Sequence, residues 1–106
     1  MKNTSYSNIN LDFTFENVCS KLTTFWLNEV MTLNKSKVWL TITVLNRNNR
    51  SFTLLKNLPF STSEYTDVVI VLRQIFDTKF LSERQDILDR IDFEYYFEDK
   101  KSIYKK

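Results

Sequence analysis

The stretch that decides the fold is KVWLTITVLNRNNRSFTLL, residues 37–55. Apolar and polar side chains alternate on both sides of the polar segment NRNNR, a pattern typical of two antiparallel strands joined as a β-hairpin. A two-residue loop mixes the two faces, whereas a three-residue loop, 47–49, keeps apolar side chains opposite apolar ones. The predicted cross-strand pairs are then Val44 with Phe52, Ile42 with Leu54, Val38 with Leu58, and Thr43 with Thr53.

Two further residues, Asn49 in the loop and Pro59 after the return strand, are predicted to shape this hairpin. The chain contains no glycine. Asn49 is therefore predicted to take the left-handed conformation that the third position of such a loop requires, since Asn tolerates it best after Gly. Pro59 lacks a backbone donor and is expected to end the return strand.

The register sorts the hairpin into a core face and an outer face. A solvated outer face is normally polar, but this one combines threonines with large apolar side chains, which is typical of protein interfaces. We predict that a protein interface includes Trp39, Leu45, Leu55 and, from a later strand, Tyr96. The alternative is that a terminal segment, residues 1–13, folds over this face.

Two helices are predicted from apolar residues spaced three and four apart. The first covers residues 15–33, with Thr14 as N-cap and Asn34 as the C-terminal stop. The second covers residues 62–78, where Ser61 and Glu64 have the spacing of a capping box. A weaker capping box, SERQ at 82–85, predicts a short helix that ends near residue 89.

The segment RIDFEYYFED, residues 90–99, alternates cleanly and predicts a half-buried strand. The element order α-β-β-α-(short α)-β predicts a two-layer α+β fold. Its largely antiparallel sheet would have three strands, or four if residues 8–13 join it, with two main helices on one face. We expect one small domain over residues 1–106, with residues 1–12 and 100–106 as extended or frayed tails.

Composition argues against catalysis. The chain of 106 residues has no histidine, which is the commonest general base and a frequent zinc ligand. It has no glycine, so a phosphate-binding loop of the usual form is excluded. We therefore expect no enzyme activity, no catalytic residues, no cofactor and no metal.

The cellular setting is predicted from three features of the chain. Cys19, the single cysteine, lies on an apolar helical face, which indicates a reduced, buried thiol in an intracellular compartment such as the cytoplasm or an organelle matrix. The N-terminal stretch MKNTSYSNINLDF has no apolar core of a secretory signal, and no run is long enough for membrane insertion. The excess of Asn, Lys, Ile, Phe and Tyr over Gly, Ala and Pro indicates an AT-rich genome, as in organelles, phages, viruses, plasmids and other mobile elements.

Charge is unevenly distributed along the chain. The net charge is +2, but residues 1–60 carry +4, residues 61–99 carry −6, and the tail 100–106 carries +4. Basic residues beside an aromatic one can hold phosphates. The candidate phosphate contacts are Lys35, Lys37, Arg47, Arg50 and Lys101.

From these patterns we expect a small non-enzymatic protein-interaction module. It would act as an accessory subunit of a larger assembly, or as an inhibitor or adaptor. The alternative is a nucleic-acid-associated subunit, such as an organellar ribosomal or replication protein, which would use the basic residues. A homo-oligomer formed through the outer sheet face is a further alternative.

Overall fold

A computed structural model describes residues 1–31, 36–78 and 87–98. Its elements are β1 (Lys2–Tyr6), β2 (Leu11–Asp12), α1 (Phe15–Phe25), a π-helical turn (Trp26–Val30), β3 (Lys37–Asn46), β4 (Ser51–Ser61), α2 (Tyr65–Thr78) and β5 (Ile87–Glu98). The predicted α+β class is confirmed: a five-stranded antiparallel sheet combines with two helices.

The sheet has more strands than predicted. Its order is β1-β5-β3-β4, and β2 pairs with the same side of β5 as β1 does. Residues 2–6, which were expected in a tail, form β1, and the possible fourth strand over residues 8–13 is reduced to the two residues of β2, so that both strands extend the sheet sideways. The alternative that residues 1–13 fold over the outer face is wrong for these strands, because antiparallel pairing with β5 holds them in the plane of the sheet.

The hairpin closes as predicted next to its loop. Val44 pairs with Phe52, Thr43 pairs with Thr53, and Asn49 has a φ of 62°. The loop is further held by Asn46, which is buried and whose side-chain oxygen accepts from the backbone N–H of Arg50 at 2.9 Å. Asparagine thus supplies both the left-handed residue and the loop-closing acceptor.

Farther from the loop, irregular pairing shifts the register of β4. Ile42 pairs with Leu55, and Val38 pairs with Phe60, so the predicted partners of both residues are wrong. The shift amounts to two residues and includes Asn57, which has a φ of 51°. Extra residues in one strand of a pair are the mark of β-bulges, which re-aim the side chains that follow them.

Because of the bulged segment, Leu55 does not lie on the predicted face. Leu54 and Leu55 are consecutive, and strict alternation would put them on opposite faces. Both are buried, with exposed fractions of 4% and 2%. Nor does Pro59 end the strand: β4 continues to Ser61, because an edge strand tolerates a residue without a backbone donor.

The helices match the prediction at the start of α1 and at the end of α2, but not at their other ends. Thr14 caps α1 as predicted, accepting from the backbone N–H of Asn17 at 3.2 Å. The helix then widens into the π-turn, where the N–H of Met31 donates to the carbonyl of Trp26 at 2.9 Å. The second helix begins at Tyr65 rather than at residue 62, because Ser61 still belongs to β4.

The predicted short helix is wrong where the structure describes it. Residues 87–89 of the predicted short helix belong to β5 instead. The rest of that helix, at 82–86, lies outside the described residues, as do the predicted stop at Asn34 and the tail 100–106.

The core lies between the sheet and the helices. The rings of Phe25 on α1 and Phe93 on β5 stack with centroids 4.3 Å apart. Phe13 and Phe76 meet edge to face at 5.6 Å. These contacts fix the helices on one face of the sheet, which leaves the opposite face, here called the outer face, for the candidate site.

Candidate functional site

Alternate residues of three adjacent strands build the outer face. Side chains of a strand point to opposite faces in turn. Leu40 and Ile42 on β3 are buried in the core, so the residues that alternate with them along this strand lie on the outer face. The outer set on β3 and β5, the two central strands, comprises Lys37, Trp39, Thr41, Thr43, Leu45, Arg90, Asp92, Glu94, Tyr96 and Glu98. Pro59, Thr53 and Ser51 continue it on β4.

An aromatic pair occupies one end of this face. Trp39 and Tyr96 lie directly opposite each other on β3 and β5, with ring centroids 5.9 Å apart and planes 5° from parallel. The indole N–H of Trp39 donates to a carboxylate oxygen of Glu98 at 3.1 Å, and Pro59 flanks Trp39 on the other side. Tyr96 remains 38% exposed. The pair is therefore oriented by its neighbours while one ring stays open to solvent.

The other two predicted anchors are not part of this pair. Leu45 lies on the outer face, but six residues along β3 separate it from Trp39, or about 20 Å. Its cross-strand neighbours are Arg90 and Ser51, and it is partly buried. The prediction that Leu55 lies on this face is wrong, because the bulged segment of β4 puts its side chain in the core.

The carboxylates of β5 differ in how they are compensated. Asp92 accepts from the guanidinium of Arg90 at 2.9 Å and from the hydroxyl of Ser5 at 2.5 Å. Glu94 has Asn3 and Thr41 as its two cross-strand neighbours, and neither carries a charge. Lys37 lies opposite Glu98. Glu94 is thus the exposed carboxylate of this row with neutral neighbours on both adjacent strands.

The predicted phosphate contacts do not come together. Lys37 begins β3 and Arg47 follows its last residue, so the two lie about 30 Å apart along the strand. Arg47 donates to the side-chain oxygen of Asn10, and the guanidinium of Arg50 lies over the ring of Phe52 at 5.3 Å. The remaining two candidates, Lys35 and Lys101, lie outside the described residues.

A second apolar surface, on the helical side, was not predicted. A small notch of about 120 Å³ is lined by Thr23, Trp26, Leu27, Met31 and Tyr65. Leu27 and Met31 at its rim are 53% and 61% exposed. Their i,i+4 spacing off the predicted apolar stripe was the available signal, but the π-turn that presents them leaves no mark in the hydrophobic pattern.

Cys19 is partly buried, not fully buried as predicted. Burial, with a smaller contribution from Glu16, raises the pKa of the Cys19 thiol to about 11, so the thiol is protonated at neutral pH. The hydroxyl of Tyr95 donates to Glu29 at 3.0 Å and ties the π-turn to β5. Within ranges 1–31, 36–78 and 87–98, no three acidic or cysteine side chains are grouped to hold a metal ion.

No model of a known protein family matches the chain, and no curated protein matches it significantly. Across the described part of the chain, no helix combines the length and apolar content needed to cross a membrane.

Proposed function

We propose that this protein is a small, non-enzymatic interaction module that docks another protein against its outer sheet face. It would serve as a subunit of a larger assembly or as an inhibitor or adaptor of its partner. The observation that carries the proposal is the pair of Trp39 and Tyr96, stacked and solvent-accessible on the face opposite the helices.

The energetics of such a pair favour binding. Tryptophan and tyrosine dominate interface energetics, and truncation of a hot-spot residue typically costs at least about 2 kcal/mol of binding free energy. Part of the usual cost of association is the loss of side-chain rotamer freedom. The hydrogen bond from Trp39 to Glu98 already restrains the indole in the free protein, so less freedom is lost when a partner binds.

Nucleic-acid binding remains the second proposal, and the geometry favours it less. Among the described candidate cations, Lys37 lies at the opposite end of the hairpin from Arg47 and Arg50, and both arginines contact other side chains of the same chain. A protein that neutralises phosphates must lose affinity steeply as salt rises. An RNA or DNA affinity that falls in this way, and that is reduced by Arg47→Gln with Arg50→Gln, would establish this alternative.

The proposal is tested by site-specific photocrosslinking in the cells that make the protein. A benzophenone side chain replaces Tyr96 in one variant and Gln74, an exposed residue of α2, in a matched control. We expect position 96 to give an adduct with a discrete protein that position 74 does not give. The captured protein, once purified, should bind the wild-type chain but not the variant Trp39→Ser with Tyr96→Ser. Adducts only from position 74, or a partner that binds the double variant normally, would contradict the proposal.

A further inference from the structure

The outer face has a chemical bias that defines the kind of partner it takes. Glu94, Tyr96 and Glu98 occupy alternate positions of β5 and so line up on this face at intervals of about 7 Å. An exposed aromatic ring therefore has a carboxylate on each side of it along the strand. Trp39, on the neighbouring strand, stacks against the ring of Tyr96.

We infer that the docked partner is a cationic segment, in which an arginine side chain stacks on Tyr96 and pairs with Glu94. This inference rests on the proposed function, since it names the partner of the same face. A guanidinium both stacks on aromatic rings and forms bidentate hydrogen bonds with carboxylates, so one arginine can satisfy both groups.

Glu94 is the carboxylate that selects this partner. Asp92 is already paired with Arg90, and Glu98 accepts from Trp39 and lies opposite Lys37. Glu94 faces Asn3 and Thr41, which offer it no positive charge. A cation from outside the chain gains most at Glu94, whereas a phosphate would be repelled by the carboxylates beside the ring.

The attraction is local rather than a property of the whole chain. The formal net charge is +2, so a cationic ligand is not drawn to the protein by its overall charge. Binding of a basic peptide would therefore report the arrangement of the β5 row. This distinction can be measured with variants that change the net charge equally at two different places.

The test uses the full chain and a synthetic peptide, acetyl-Arg-Thr-Arg-Thr-Arg-amide, with its citrulline counterpart as the uncharged control. Binding is followed by NMR titration of the ¹⁵N-labelled protein at low salt. We expect the largest amide shifts at Thr41, Glu94 and Tyr96, and at least a tenfold weaker affinity for the citrulline peptide. Equal binding of both peptides, or shifts confined to the helices, would overturn the inference.

Matched charge variants sharpen the result. Glu94→Gln with Glu98→Gln removes two charges, while the amide oxygen at position 98 can still accept from Trp39. Glu16→Gln with Glu64→Gln makes the same charge change at exposed positions on the helical side. We expect the first pair to weaken peptide binding at least fivefold and the second to change it less than twofold. Equal weakening by both pairs, or tighter binding of a single-stranded oligonucleotide at this face, would refute the inference.

The partner captured by crosslinking separates the two proposals. If it is lost with Trp39→Ser and Tyr96→Ser but binds the Glu94→Gln and Glu98→Gln variant normally, the face is a docking surface and the cationic partner is wrong. If neither variant affects it, the proposed function fails as well.

Discussion

Replacing Leu55 by alanine probes the bulged segment of β4, where the observed register differs from the predicted one. Simple alternation places Leu55 on the outer face, where its truncation would cost little. The structure places it in the core with 2% exposure, opposite Ile42. Truncation of a buried leucine costs about 2–5 kcal/mol, from lost transfer free energy and the cavity left behind. Because β4 is an edge strand that can partly relax around the change, we expect about 3 kcal/mol.

Urea denaturation followed by far-UV circular dichroism measures this loss. With a slope of about 1.5 kcal/mol per molar urea, the midpoint should fall by about 2 M. Leu45→Ala is the matched control, because Leu45 is the partly buried leucine of the outer face. It should reduce the free energy of unfolding by less than about 1 kcal/mol. A larger loss for Leu45→Ala than for Leu55→Ala would refute the bulged register and return Leu55 to the outer face.

Three further predictions follow from local features. Asn49→Ala should reduce the free energy of unfolding by about 1 kcal/mol and lower the melting temperature, because φ is positive at this position. Asn49→Gly should not destabilise the protein, and equal melting temperatures for the two variants would contradict this prediction. The pKa of Cys19, raised from 9.0 to about 11, leaves about a hundredfold less thiolate at pH 8 than in the unfolded chain. Its alkylation by iodoacetamide should therefore be at least that much slower when folded and rise with pH to about 11; a plateau near pH 9 would contradict it. Tyr95→Phe should cost about 1 kcal/mol in urea denaturation by removing the hydrogen bond to Glu29, and an unchanged midpoint would show that this bond does not stabilise the π-turn.

The accuracy of the sequence prediction depended on how local each feature is. The pairs nearest the loop, Val44–Phe52 and Thr43–Thr53, follow from alternation and loop length. Leu54 and Leu55 are equally apolar, so the pattern gives no sign that two neighbours point into the core together. The position of a bulge depends on contacts made across the whole sheet, so it cannot be predicted from the alternation within one strand.

Long-range pairing explains the other differences. The segment KNTSY of β1 has no apolar alternation, and its strand exists because it pairs with β5, some ninety residues away in sequence. Trp39 and Tyr96 could each be assigned to the outer face from alternation. Their stacking, and the neutral surroundings of Glu94, required the order in which β1, β5 and β3 are arranged.

Under the proposed function, the partner docks on the outer sheet face and not in the apolar notch between the helices. The most direct measurement is the affinity of the crosslinked partner for two double variants that each remove two accessible apolar side chains. Trp39→Ser with Tyr96→Ser acts on the sheet face, and Leu27→Ser with Met31→Ser acts on the notch. We expect the first variant to weaken binding at least about thirtyfold, in keeping with a hot-spot loss of about 2 kcal/mol, and the second to leave it unchanged. Loss of binding with the notch variant and normal binding with the sheet variant would contradict docking on the sheet face.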